Sequence, residues 1–371
     1  MTRSLMTSRQ LPLHARHLAL GARTGLFGEW EVPLYYTSIL EEHEAVRTRA
    51  GLFDISHMGE FFVEGPGAQA FLEWALPRLL GEVAAGRAVY APLVNARGGV
   101  VDDIIAYRLG ASRFLLIVNA GNVAKDFAHL QALKTLYDQK GLAAFTLVNA
   151  SDQYGLLALQ GPRSAEILAR AAAEDFSKLG YYRFCEWKQG IVSRTGYTGE
   201  DGFEIMLETS LLDGLWTALL NAGSEFGIRP AGFGCRDTLR LEAGMPLYGH
   251  DLDDETAPQE AGIGWAVKMD GAEFYGREAL LERQKAGWTK KLVGFETLDR
   301  GIPRQGQEIF KDGSLIGVVT SGSFSPTLKK NIGMGFVSRL DLAPDATVEL
   351  QIRGAAVRAK ILSLPFYRRK K

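Results

Sequence analysis

From residue 286 to its end the chain offers no helical period. It reads "KKLVGFETL", "QEIFKDGSLIGVVTSG", "IGMGFVSRL", "ATVELQIRG" and "AAVRAKILSL", short apolar runs separated by Gly, Asp and Pro turns. Such runs are strands, and several in succession build an all-β barrel or sandwich. The polar stretch "LERQKAGWTKK" reads as the linker that leads into it.

Upstream the pattern changes. "NVAKDFAHLQALKTLYDQKG" sets Val123, Phe127, Leu130, Leu133 and Leu136 at helical spacing and stops at Gly141. "GPRSAEILARAA" opens with Pro162, suited to a first helical turn, and "SLLDGLWTALLNAG" closes at Gly223. Between these helices stand strand-like runs, "EFFVEG", "RFLLIVNA", "YGLLALQG", "GIVSRTG" and "FEIML". Helices mixed with strands in this way predict α+β layers. A chain of 371 residues exceeds one ordinary core, so more than one domain is expected.

Composition removes several functions. Formal net charge is −1, which argues against the broad basic field of a nucleic-acid binder, although the tail Arg368, Arg369, Lys370, Lys371 is a local basic patch. No uncharged apolar run is long enough for a membrane-spanning helix. Cys185 and Cys235 fit neither a disulfide framework nor a zinc spacing, and the 6 histidines are scattered, His14 and His17 reading as incidental. No metal site is expected. Phosphate-loop, dinucleotide and serine-elbow motifs are absent as well.

Three stretches keep chemical potential. In "NARGGVVDDIIAYRLG" a double glycine precedes Asp102 and Asp103 inside an apolar strand. Alternation points the two carboxylates to opposite faces, so they are not a proton-sharing dyad, and at least one is expected to be buried and either paired or raised in pKa. The competing reading is a turn at Gly98 and Gly99 with both aspartates bonding backbone at a strand edge. Spacing alone does not say which aspartate matters. In "RTGYTGEDGFEIML" a hairpin turn of Gly199, Glu200, Asp201 and Gly202 reads as merely solvated, but Tyr197 and Glu204 beyond it could clamp a flat, amino-bearing heterocycle. In "CRDTLRLEAGMPLYGHD" a helix from about Gly234 to Ala243 carries Arg236 and Arg240 four apart, a like-charge pair costing roughly 0.2–0.5 kcal/mol unless an anion answers it. Asp237 and Glu242 could answer; a substrate carboxylate would do it better.

Taken together, "GLFDISHMG", "NARGGVVDDIIAY", "IVNAGNVAKDF", "LALQGP", "GYTGEDGFEI", "RDTLRLEAGMPLYGHDLD" and "TSGSFSPTLKKNIGMGFV" resemble the aminomethyltransferases, the T-proteins of the glycine cleavage system. The likeness runs from about Leu11 to Arg368. It implies an α+β fold in a three-domain cloverleaf around a central channel, with two mixed α/β-layer domains and a C-terminal all-β barrel or sandwich. Implied boundaries are 11–60 with 151–285 for a discontinuous first domain, 61–150 for an inserted second, and 286–371 for the third.

The resemblance also implies roles. Asp103 would be the catalytic carboxylate. Glu204 would bind the pterin edge of tetrahydrofolate, with Tyr197 and Met58 close by, and Tyr90 and Asn119 would line the folate site. Arg236 and Arg368 would hold the folate's anionic tail or the incoming substrate, while Tyr248 and Trp265 would shape the channel. "FGEWEVP" and "VNARGG" depart slightly from the family wording, and family C-termini vary around Arg368. The implied reaction moves the carbon of an aminomethyl group from the lipoyl arm of H-protein to tetrahydrofolate as co-substrate and releases ammonia, with no metal, nucleic acid or membrane involved.

Two rivals share the scaffold: a folate-dependent demethylase of a small methylated metabolite, and a non-enzymatic folate-binding protein of iron–sulfur assembly. The second carries a "KGCYxGQE" signature where this chain has "RLEAGMPLYGHD". The acid-free first 28 residues have the composition of a transit peptide, but the likeness starts near Leu11, so the expectation is a bacterial cytoplasmic protein rather than a mitochondrial-matrix one. The basic tail is read either as a solvated terminus or as an aid to docking an acidic H-protein or a polyglutamylated folate.

Overall fold

The computed structural model describes residues 8–138, 141, 143–271 and 273–369, so the earliest basic residue, Arg3, and the tail residues Lys370 and Lys371 lie outside the described part. The chain divides into two compact units, one joining the chain up to Glu60 with Ala150–Asp237, the other joining Phe61–Asn149 with the chain from Thr238 onward. Among the described residues no helix is long and apolar enough to cross a membrane.

In the first unit a six-stranded sheet runs Phe184–Trp187, Gly190–Ser193, Gly202–Glu208, Tyr154–Gln160, Gly51–Asp54, Arg229–Pro230. Helices Ser164–Ala172 and Leu212–Gly223 cover it, burying Ile167, Leu168, Trp216 and Leu219 against Leu157, Phe203 and Ile205. Both helix ends differ from expectation. Pro162 precedes the first helix, which starts at Ser164, two residues after it. Gly223 is still right-handed; a 3-10 turn continues to Phe226, and Gly227 at φ 72° ends it, the left-handed step only glycine takes freely.

In the second unit the five-stranded order is Arg87–Val94, Val100–Arg108, Arg113–Val118, Gly59–Glu64, Thr146–Asn149. Helix Val123–Asp138 buries Asp126, Leu130, Leu133 and Tyr137. That face is rotated from the expected one, since Leu136 is exposed and Tyr137 takes the core position. Gly141 does stand at φ 66°.

The expected β segment closes into a six-stranded barrel, Lys291–Thr297, Lys330–Val337, Ser314–Ser325, Glu308–Lys311, Thr347–Ile352, Ala355–Leu362. Phe295, Ile309, Leu350 and Ala359 fill it. "QEIFKDGSLIGVVTSG" is two strands turning at Asp312 and Gly313, both with positive φ. The first six residues of the stretch read as a linker, Leu281 to Ala286, belong to a helix over Arg277–Ala286: Glu, Arg, Gln, Lys and Ala are all good helix formers, Leu280 is buried, and Gly287 ends the helix.

Candidate active site

Gly98 and Gly99 are fixed by geometry before any chemistry. Gly98 adopts φ 78° in a turn where it donates to the Asn95 carbonyl at 2.9 Å. A Cβ on Gly99 would stand 1.8 Å from the Asp254 carbonyl oxygen. The strand that follows is internal, paired on one side with Arg87–Val94 and on the other with Arg113–Val118, so the edge-strand reading fails.

Alternation places Asp102 on the core face, wholly buried, and Asp103 on the other face, half-buried. On that face Asp103 registers with Pro92 and Ile105 with Tyr90, which sets Tyr90 diagonally beside Asp103. The Tyr90 hydroxyl donates to Asp103 Oδ2 at 3.0 Å, and Asn119 Nδ2 donates to Asp103 Oδ1 at 2.9 Å.

The opposed faces do not isolate the two carboxylates. Asn119 Nδ2 also lies 2.9 Å from Asp102 Oδ1 and 3.0 Å from the Asp103 carbonyl, so two N–H bonds face three acceptors. Asp102 is further held by the Asn119 backbone N–H at 2.9 Å and by Asn122 Nδ2 at 2.6 Å. Burial and the neighbouring Asp102 charge lift Asp103 well above the ordinary carboxylate range, against the bonds from Tyr90 and Asn119. Trp265, 69% exposed, stacks on Tyr90 at 5.5 Å and 23°. Tyr248 accepts from Lys125 Nζ at 2.5 Å, and burial followed by Asp254 raises its hydroxyl pKa.

In the first unit, Ser193 registers directly with Glu204 across the sheet, and the connection from 194 to 201 is a loop rather than a tight turn. Its acids are not merely solvated. Arg47 pairs with Glu200 at 2.9 Å, both side chains 6% exposed, and Arg194 grips Asp201 with two bonds of 2.9 and 2.6 Å. The Thr195 hydroxyl donates to Glu204 Oε2 at 2.5 Å.

The Arg236 guanidinium lies 4.7 Å over the Tyr197 ring, and its buried Nη1 has no hydrogen-bond partner. Burial raises Glu204, against Thr195 and Arg236, and burial lowers Arg236. His57, which motif reasoning did not single out, is buried between the rings of Phe27 and Phe233 with Nδ1 unpartnered; burial and the Arg236 charge push it down to about 3. Met58 follows it, half-buried.

The structure thus joins Tyr90, Asp103, Asn119 and Trp265 in one cluster, and Tyr197, Glu204 and Arg236 in another. Arg368 is exposed. Arg240 is answered by Asp251 at 2.8 Å. Glu242 accepts from Ser325 at 2.5 Å and from Thr327 Oγ1 at 2.7 Å. His17, fully buried, bridges Asp54 and the Tyr36 hydroxyl at 2.9 Å each.

Buried carboxyl, guanidinium and imidazole groups with displaced pKa values and unspent hydrogen-bonding atoms are the marks of an α+β enzyme. Family models described as the GCVT N-terminal domain and the glycine cleavage T-protein C-terminal barrel domain match residues 13–271 and 290–368. The chain is 46% identical over 97% of its length to an aminomethyltransferase of Symbiobacterium thermophilum, covering 97% of that protein. It is 44% identical over 96% of its length to an aminomethyltransferase of Halothermothrix orenii, covering 99% of that protein. The crystal structure of glycine cleavage system aminomethyltransferase T from Bartonella henselae superposes with a TM-score of 0.91 at 38% identity, over 98% of this chain and 99% of that one. The chain belongs to the glycine cleavage T-protein family and is an aminomethyltransferase.

Proposed function

We propose that the protein takes the carbon of the aminomethyl group on the lipoyl arm of H-protein, releases its nitrogen as ammonia, and delivers the carbon to tetrahydrofolate as methylene-tetrahydrofolate, with Asp103 as the catalytic carboxylate. The observation that carries this reading is the presentation of Asp103: Tyr90 and Asn119 each hold one oxygen, yet the side chain stays half-buried rather than sealed. Tetrahydrofolate supplies the two nitrogens that accept the carbon; as their C–N bonds form, the bonds from that carbon to nitrogen and to sulfur break, and the two N–H protons end on the released ammonia and on the lipoyl sulfur, left as a thiol. Asp103 stabilises positive charge developing there and receives the proton that an attacking nitrogen loses.

The first-unit cluster supports a folate site by its chemistry. Glu204 can accept N–H groups from a heterocycle edge, Tyr197 offers an aromatic face, and the unspent Arg236 Nη1 calls for an anionic or carbonyl acceptor. In this reading Met58, Tyr90, Asn119, Tyr248 and Trp265 contact folate or shape its access, and Arg368 helps hold its anionic tail or the incoming substrate. We further propose three domains, 11–60 with 151–285, 61–150, and 286–371; the closed hydrogen bonding of the barrel supports counting the last separately. A bacterial cytoplasmic location belongs to the same reading and accords with the bacterial sources of the relatives.

The test is ammonia release from aminomethylated H-protein. Asp103→Asn is expected to retain folate affinity while losing about 10²–10⁴-fold in turnover; near-normal release would remove Asp103 from the chemistry. Glu204→Ala and Arg236→Ala should each weaken folate binding by calorimetry, and unchanged affinity in both would move the folate elsewhere. Activity that persists without H-protein would favour the demethylase reading.

A further inference from the structure

Behind the Asp103 strand lies a carboxyl group that the reaction above does not use. Asp126 sits in the first turn of helix Val123–Asp138, wholly buried, and no N–H or hydroxyl donates to either of its oxygens. A buried carboxylate without donors is among the costliest groups a protein can hold, so such a group keeps its proton and becomes a donor in need of an acceptor. Asn122, on the turn that runs straight into this helix and one helical turn before Asp126, donates to Asp102 Oδ1 at 2.6 Å, so the acceptor on that face of the helix is Asp102.

Asp102 already accepts N–H bonds from the Asn119 backbone, the Asn119 side chain and Asn122. Asn119 Nδ2 then links it to Asp103. The order is therefore Asp126, Asp102, Asn119, Asp103.

We propose that Asp126 is a neutral carboxylic acid whose hydrogen bond to Asp102 tempers the negative charge beside Asp103, making Asp126 a positioning residue for the catalytic carboxylate. The inference rests on Asp103 being that carboxylate. Its electrostatic setting includes Asp102 and Asp103 on the strand, Lys125 on its own helix, and Tyr248, whose hydroxyl is in turn biased by Asp254. Of these, Lys125 alone opposes the proton, and burial with the two aspartates outweighs it: the Asp126 carboxyl is pushed up to about 11.

Asp126→Leu removes the donor and leaves the Asp102 charge at full strength, so Asp103 should hold its own proton to higher pH. Asp126→Asn keeps an N–H at the same place and should restore the native behaviour. The readout independent of turnover is carboxyl-carbon NMR of protein labelled at aspartate, titrated without substrate, with the Asp103 resonance assigned by Asp103→Asn. Its midpoint is expected to rise by about half a pH unit or more in Asp126→Leu and to return in Asp126→Asn. The acid limb of the H-protein-dependent activity should move with it.

An Asp103 midpoint unmoved in Asp126→Leu, or an Asp126 resonance already ionised at neutral pH, overturns the proposal. Should the NMR midpoint move while the activity profile does not, the charge relation stands and the catalytic assignment of Asp103 falls. Simple damage to packing would lower activity in both variants without displacing the midpoint.

Discussion

Arg240 and Asp251 form an ion pair of 2.8 Å in which the two side chains are only 3% and 0% exposed. The pair is fully bonded: Arg240 also donates to Ser321 Oγ at 2.9 Å, and Asp251 accepts from the Leu247 N–H at 3.0 Å and from the Thr320 hydroxyl. It ties the end of helix Phe233–Glu242 to the barrel strand Ser314–Ser325. Removing one partner strands the other charge away from water. Asp251→Ala should therefore cost about 3–5 kcal/mol in urea unfolding, and Asp251→Asn less, because the amide oxygen can still accept from Arg240.

That pair also marks where sequence reasoning stops. The four-residue spacing of Arg236 and Arg240 was legible and raised the right question, but the answering anion lies on a turn whose position depends on the folded chain. The same holds at Asp103. Strand period, double glycine and opposite-facing aspartates could be read directly; the bridging amide of Asn119, on a later loop, entered only through family resemblance, and Asn122 and Asp126 not at all. Helix Val123–Asp138 shows why Asp126 escaped: with Leu130, Leu133 and Tyr137 it lies on the buried stripe, but a charged residue is scored as solvent-facing. The helix at Arg277–Ala286 was missed for the opposite reason, its single fully buried leucine leaving no apolar stripe to detect. Elements set by local periodicity were visible, whereas charges answered from distant segments were not.

Gly99 should tolerate no side chain. The two nearest atoms a Cβ would meet are backbone, the Asp254 carbonyl oxygen at 1.8 Å and its carbon at 2.4 Å, so no rotamer change relieves the clash. Gly99→Ala is expected to destabilise the protein by about 2 kcal/mol or more, as overpacked sites do, measured as a fall in the urea midpoint at constant slope. Gly110→Ala, with open space around its Cβ position, is the control and should change the midpoint little.

Tyr90→Phe separates the ring of Tyr90 from its hydroxyl. Phenylalanine can keep the stack on Trp265, but the bond of 3.0 Å to Asp103 Oδ2 is lost. That bond holds the Asp103 pKa down against burial and the Asp102 charge, so its removal lets the pKa rise further. Because the proposed base works ionised, the acid limb of kcat/KM should move to higher pH, by about half to one unit, with the loss of rate largest at low pH. A profile lowered equally at every pH would show that Tyr90 does not tune Asp103.

Glu60 supplies a pH dependence of stability opposite in sign to that of an ordinary salt-bridged carboxylate. Its side chain is wholly buried, neither oxygen has a hydrogen-bond partner, and burial followed by the Asp152 charge raises its pKa well above the usual range. The folded protein therefore keeps a proton that the unfolded chain releases near pH 4.5. The associated stability is complete below that pH and is lost progressively as pH rises toward the folded value, by about 1.4 kcal/mol per pH unit for one proton. Glu60→Gln cannot ionise, so its stability relative to the native protein should grow as pH rises above about 4.5, in urea unfolding at a series of pH values. A difference that stays constant with pH would show that Glu60 is ionised in the folded state.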